Sequence, residues 1–270
     1  MTGAAGAPGV VVVTGAARGI GRGIAERMVA RGHLVVVTDV DGASAERTAG
    51  EIGAAAYVVQ DVRDPESHRA VAAVARDLGP LAVWFNNAGV GFDGDLAALT
   101  DEQVRALVEV NLLGVLWGTR AAIAAFGPEG GDIVNTASLS AHGPVPGLSV
   151  YAATKAAVVS VTTSVNAELP RQVRVHALCP DGVDTQMVED MDDAGTAKAL
   201  VHSGGRILTV DEVADAAVAL VGSRRVVRTV PVWRGALSRS TALTPGVAGR
   251  ALPLFTRVGR RVIARRAAPH

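Results

Sequence analysis

The chain has one cysteine, Cys179, in 270 residues, so no internal disulfide can hold it together and a reducing, cytoplasmic setting is the simplest reading. Aromatic residues make up 3%, and there are only two tyrosines and two lysines. The core must therefore come from aliphatic side chains, which fits the 49% hydrophobic content. No run approaches the ~18 apolar residues that a membrane span needs, so a soluble protein is expected. The opening "MTGAAGAPG" has no early basic residue and no long apolar stretch, which excludes a secretory signal and suggests a frayed tail over residues 1–8. The six histidines show no metal-ligand spacing, and no metal site is expected. Acidic residues are missing from the whole C-terminal end: all 26 lie at or before Asp215, and from Gly222 onward there are 11 arginines and no acid. The zero net charge thus divides into −11 before that point and +11 after it, which suits a tail that docks on something negative.

What is present is an alternation. "GVVVVTG", "HLVVVTD", "AAYVVQD", "LAVWFNN", "GDIVNTAS", "VRVHALCP" and "VVRTVPVW" are short apolar runs closed by turn residues, and they read as strands. Between most of them lie segments with helical period, such as "GIGRGIAERMVARG" and "TDEQVRALVEVNLLGVLWGTRAAI". Strands alternating with helices require right-handed crossovers and a parallel sheet covered on both faces. The expected fold is α/β, a doubly wound seven-stranded parallel sheet in one domain over residues 1–233, with a basic extension over 234–270. In such sheets ligands sit beyond the carboxyl ends of the strands, where the strand order reverses.

"TGAARGIG" follows the first strand, with Gly15, Gly19 and Gly21 spaced G-x3-G-x-G. Glycines there permit a tight turn and close approach of backbone amides to a diphosphate, and the next helix presents its positive end. Asp39 closes the second strand, about 20 residues on in the register where a carboxylate accepts from a ribose and repels a 2′-phosphate. That favours NAD over NADP. Arg18, within the turn, points the other way if it pairs with that phosphate, and is otherwise a solvated turn residue.

Tyr151 and Lys155 stand four apart in "VYAATKAAV" and share a helix face. A phenol ionises near pH ~10, and a neighbouring ammonium favours the phenolate. Bringing it to about 7 needs roughly 4 kcal/mol, which one close lysine and the positive nicotinamide ring together would have to supply. Ser138, thirteen residues upstream at the end of a strand, can donate to a substrate oxygen.

"TGAARGIG", then "NNAG" from Asn86, Asn111 in "NLLG", Ser138 and "YAATK" occur in this order, each in its proper element. In this the sequence resembles the short-chain dehydrogenase/reductase family over about residues 9 to 233. The resemblance implies reversible hydride transfer between a nicotinamide cofactor and a small-molecule alcohol or ketone. Tyr151 is then the general acid/base, Lys155 tunes it and holds the nicotinamide ribose, Ser138 orients the substrate and Asn111 serves a proton relay behind Lys155. Cofactor contacts fall on Gly15, Arg18, Gly19, Ile20, Gly21, Asp39, Asp61, Val62, Asn87, Ala88, Gly89, Pro180, Val183 and Thr185, besides Tyr151 and Lys155. A homodimer or homotetramer is implied as well. Asp181, in "PDGVDT", stands where the family has glycine. The alternative class is a non-catalytic protein that binds or senses the cofactor, with the arginine tail as effector; it has no use for Tyr151.

Residues 186–206 should form the substrate flap, and its Met187, Met191, Leu200 and Val201 hint at an apolar, steroid- or lipid-like substrate. A tail helix is expected from Pro253, with Leu254, Phe255, Val258 and Val262 on one arc and Arg257, Arg260 and Arg261 opposite. That stripe either packs on the body or a second subunit, the preferred reading, or meets an anionic membrane surface; nucleic acid is not expected as a partner. Gly259 should weaken the helix if it stands alone.

Overall fold

The computed structural model describes residues 9–243 and 245–267, with side chains for 9–240 and 253–264. Seven parallel strands form one sheet: β1 (Val10–Thr14), β2 (Leu34–Asp39), β3 (Ala56–Val59), β4 (Leu81–Asn86), β5 (Gly131–Thr136), β6 (Val173–Pro180) and β7 (Val227–Val230). Their order is β3-β2-β1-β4-β5-β6-β7. The order reverses between β1 and β4, so a crevice opens beyond the ends of those two strands.

Strand period explains why both faces are covered. Val11 and Val13 point to one side, where α1 (Gly19–Ala30) supplies Ile24 and Met28. Val10 and Val12 point to the other, against Val71 of α3 (Pro65–Leu78). All four valines are fully buried, which is why this strand reads as an unbroken apolar run rather than an alternation. α2 (Gly42–Ile52) follows β2, capped by Asp41, whose carboxylate accepts from the Ser44 amide at 3.1 Å.

The long central helix is not uniform. α4 (Asp101–Val108) passes into one π turn, Glu109–Leu113, before α5 (Gly114–Ala125). By length and composition this continuous helix reaches the apolarity of a membrane span, contrary to the sequence expectation. Its inner side packs on α3 and β4, with Ala121 and Ala122 in the core beside Trp84. α6 (Ser149–Glu168) leads to β6, and the flap holds α7 (Gln186–Glu189) and α8 (Thr196–Val201) before α9 (Val210–Val218) packs against α1.

The seventh strand is shorter than its sequence suggests. It stops at Val230, and Val232 and Trp233 already belong to α10 (Val232–Leu243). The tail helix α11 (Pro245–Ala267) begins before Pro253, which lies inside it. It packs on α8 and the 202–204 turn. The predicted stripe is not buried as a unit: Phe255 and Val262 are partly buried, whereas Leu254 is 60% exposed and Val258 is exposed as well. Gly259 is the seat of the helix rather than its weak point. It is buried, and a Cβ there would collide with the Ala199 carbonyl.

Candidate active site

Beyond the carboxyl ends of β1, β4, β5 and β6 lies a cavity of about 930 Å³. Its floor begins at the glycine turn. Gly15 has φ +61° and lies so close to the β4 loop that a Cβ would meet the Ala88 Cα at 2.7 Å, so glycine is required on two counts. A side chain at Gly21 would strike the Gly15 carbonyl. The turn is tied to "NNAG" by Thr14, whose hydroxyl accepts from the amides of Asn87 (3.0 Å) and Ala88 (3.1 Å). The Asn87 side chain returns two bonds, to the carbonyls of Thr14 and Gly15, both 3.1 Å. α1 starts here with no acidic residue in its first turn, so its N-terminal amides face the cavity uncompensated.

Asp39 lies beside this turn and lines the cavity, one carboxylate oxygen accepting from the Ala17 amide at 3.1 Å. That bond fixes the carboxylate and leaves further lone pairs for a ligand hydroxyl. Arg18 is exposed at the mouth. Asp61 is held by Arg63 in a forked pair with a shortest bond of 2.6 Å, and that guanidinium keeps its carboxyl below the usual range. The backbone around Val62 is fixed by a chain that the sequence did not disclose. Thr38 donates to Gln60 (2.6 Å), Gln60 to His68 Nδ1 (3.0 Å), and His68 Nε2 donates to the Val62 carbonyl (2.9 Å). Burial pushes the His68 imidazole down, which suits this neutral tautomer.

The reactive end is built on α6 and the end of β5. Ser138 follows β5 and lines the cavity with Tyr151, near enough for its hydroxyl to favour the ionised phenol. Its Oγ accepts from the Ser140 amide at 3.2 Å, while the Ser140 hydroxyl is buried without a partner among the described residues. Lys155 is 3% exposed, and its ammonium donates to the Thr136 carbonyl at 2.9 Å. It stands 5.6 Å from the Tyr151 ring centroid. Burial pushes Lys155 down to about 8. The phenol moves upward, because burial outweighs the effect of the Ser138 hydroxyl. In the chain by itself, therefore, the lysine does not bring the phenol down as the Y-x3-K spacing suggested; the ammonium lies over the ring rather than at the oxygen.

Asn111 occupies the π turn, fully buried, and its amide clamps Val90 in both directions at 2.9 Å. The extra residue of a π turn aims this side chain inward. A Cβ at Gly89 would come within 3.1 Å of the Asn111 oxygen and 3.5 Å of Lys155 Nζ, so the three groups are neighbours. Cys179, also nearby, is fully buried and its thiol is pushed up to about 12, which leaves it inert.

The cavity brings together every site residue predicted from sequence except Gly21 and Asn111, which stand just behind its wall: Gly15, Arg18, Gly19, Ile20, Asp39, Asp61, Val62, Asn87, Ala88, Gly89, Ser138, Tyr151, Lys155, Pro180, Val183 and Thr185 all line it. The crowded glycines, the open helix start and the fixed carboxylate at the end of β2 fit a dinucleotide laid across the strand ends. Met187, Met191, Leu200 and Val201 of the flap line the far side.

Asp181 and Arg234 form the contact that sequence reading left open. Arg234 Nε lies 2.7 Å from the Asp181 carboxylate, and its other arm reaches Ser203 Oγ at 3.1 Å. The aspartate in place of glycine has a partner 53 residues away.

A family model described as short chain dehydrogenase matches residues 9–196. A 3-beta-hydroxysteroid dehydrogenase of Comamonas testosteroni is 34% identical over 71% of this chain and 78% of its own length. A sorbitol dehydrogenase of Cereibacter sphaeroides is 36% identical over 67% of this chain and 73% of its own. Among solved structures, a short chain dehydrogenase/reductase from Burkholderia phymatum in complex with NAD superposes with a TM-score of 0.79 at 27% identity, covering 89% of this chain and 95% of that one.

Proposed function

Because the chain belongs to the short chain dehydrogenase family, we propose that it is an NAD-dependent oxidoreductase of apolar secondary alcohols and their ketones, with Tyr151 as its proton carrier. The observation that carries this reading is that Ser138, Tyr151 and the buried Lys155 all line one cavity at the strand ends, with the Lys155 ammonium 5.6 Å from the Tyr151 ring centroid. When bound, NAD supplies the hydride acceptor, and its reduced form the donor.

The glycine turn and the N-terminus of α1 would hold the diphosphate, Asp39 the adenosine ribose, and Lys155 the nicotinamide ribose. Ser138 holds the substrate oxygen. Tyr151 Oη takes the hydroxyl proton during oxidation and returns it during reduction. Lys155 keeps its positive charge below about pH 8, and together with a positive ring it offsets the burial that raises the phenol. Asn111 holds Val90, and through it the loop that faces Lys155, in place.

Asp39 supports NAD over NADP, because a second negative charge beside a fixed carboxylate is repelled. The apolar substrate class is supported by the flap side chains, since family relatives include names for both a steroid and a polyol. The test is a screen of secondary alcohols followed by NADH absorbance, with NAD and NADP side by side and with Asp39→Ala. The wild type should favour NAD at least tenfold in kcat/KM, and Asp39→Ala should erase most of that preference. A wild-type preference for NADP would overturn the cofactor assignment.

A further inference from the structure

The chain beyond β7 turns back over the cavity. Leu237 of α10 and Phe255 of α11 both line it. α11 is seated on α8, with Gly259 against the Ala199 carbonyl. The start of α10 is locked by Arg234, whose side chain is 10% exposed and whose partner Asp181 is 11% exposed. Asp181 follows Pro180 at the cofactor end of the cavity, and Ser203, the third member, closes the flap.

We propose that this C-terminal extension is the fixed outer wall of the chain's own substrate pocket, selecting a bulky apolar secondary alcohol, and that the Asp181–Arg234–Ser203 clamp sets the wall against the loop after β6. The substrate class rests on the oxidoreductase reading above. Polar groups that can meet a substrate hydroxyl converge at Ser138 and Tyr151. Met187, Met191, Leu200, Leu237 and Phe255 line the same cavity with hydrocarbon, sulfur and one ring, among a few polar neighbours such as Gln186, Glu189 and Ser238. A substrate with one reacting hydroxyl and a broad apolar body satisfies both ends. A polyol gains nothing from those five side chains, and each hydroxyl set against them loses its hydrogen bonds to water. Arg234 is a positioning residue: breaking a well-buried pair leaves Asp181 charged without its partner and loosens the loop that carries Val183 and Thr185.

Three full-length variants test this: Phe255→Ala shortens the wall, Gly259→Val unseats α11, and Arg234→Ala opens the clamp. Two quantities are read with each. One is the ratio of kcat/KM for a hydroxysteroid to that for 2-butanol with NAD. The other is the affinity of the hydroxysteroid measured by calorimetry in the presence of NADH, which requires no turnover. The first two variants should lower the ratio and weaken the steroid about tenfold or more, with NAD affinity changed less than ~3-fold. Arg234→Ala should weaken NAD as well as the steroid, and Arg234→Lys should restore part of each. Unchanged steroid affinity in both Phe255→Ala and Gly259→Val would overturn the wall, and so would a wild type that does not bind the steroid. A wild type that binds it tightly, weakens as stated in the variants and yet oxidises no alcohol would keep the wall and overturn the oxidoreductase reading.

Discussion

Replacing Lys155 with methionine should make the protein more stable while ending its turnover. The ammonium is 3% exposed and, among the described residues, donates one hydrogen bond, to the Thr136 carbonyl. Burial lowers it to about 8, from ~10.4 in an unfolded chain. At ~1.4 kcal/mol for each factor of ten in proton affinity, keeping that charge inside the fold costs about 3 kcal/mol at pH 7. Methionine has a similar shape and carries no charge, but it leaves the Thr136 carbonyl without its donor, a loss of about 1 kcal/mol. The net gain is about 2 kcal/mol. The pH dependence has a definite sign. Between pH ~8 and ~10.4 the folded wild type has lost the proton and the unfolded chain still binds it, so wild-type stability climbs with pH. The advantage of Lys155→Met is therefore full at pH 7 and shrinks toward pH 10. Urea unfolding of both proteins at pH 7 and pH 10 measures it. A variant less stable than wild type at pH 7, or a difference that does not change with pH, would refute the reasoning.

Other expectations follow from the same groups. Burial raises the Tyr151 phenol, so alcohol oxidation, which needs the phenolate, should rise across pH 6 to 9, whereas ketone reduction, which needs the phenol, should stay nearly flat because the phenol keeps its proton there; initial rates in both directions read this, and an oxidation rate that does not rise with pH would count against it. At the opposite end of the sheet, the buried Asp132 accepts two bonds from Arg174 (2.7 and 2.8 Å) and one from His176 (2.8 Å). Asp132→Asn removes the charge that Arg174 pairs with and one of its acceptor oxygens, and should destabilise by about 2 kcal/mol in urea unfolding. The Asp132 carboxyl is held below its ordinary value despite its burial. Its contribution is thus present above the unfolded value of ~3.9 and lost as pH falls below it, so Asp132→Asn should flatten the acid limb of the stability curve.

Much of this molecule could be read in the sequence because local rules and the tertiary structure agree there. Val10 to Val13 are consecutive valines since both faces of β1 are covered, and the turn from Gly15 to Gly21 needs glycine for reasons that are local to one strand end. What escaped reading depends on contacts distant in the chain. Gly259 reads as a helix weakener until Ala199 is seen beneath it. Asp181 reads as an anomaly until Arg234 arrives from α10. Gln60 and His68 belong to no motif, yet they hold Val62 through a chain that starts at Thr38 on the neighbouring strand. The tail stripe is not buried as a unit because α11 is seated on Ala199 of α8 at Gly259, which leaves Leu254 and Val258 exposed. The spacing of Tyr151 and Lys155 placed the two side chains together correctly. It said nothing of how burial would act on the phenol, which depends on everything packed around α6.

The central claim is that the Tyr151 hydroxyl carries the proton in this cavity. Tyr151→Phe removes that oxygen and keeps the ring. The account predicts NAD affinity within ~2-fold of wild type by fluorescence titration, and turnover of the best alcohol lower by ~10² or more. Turnover close to wild type in that variant would contradict it.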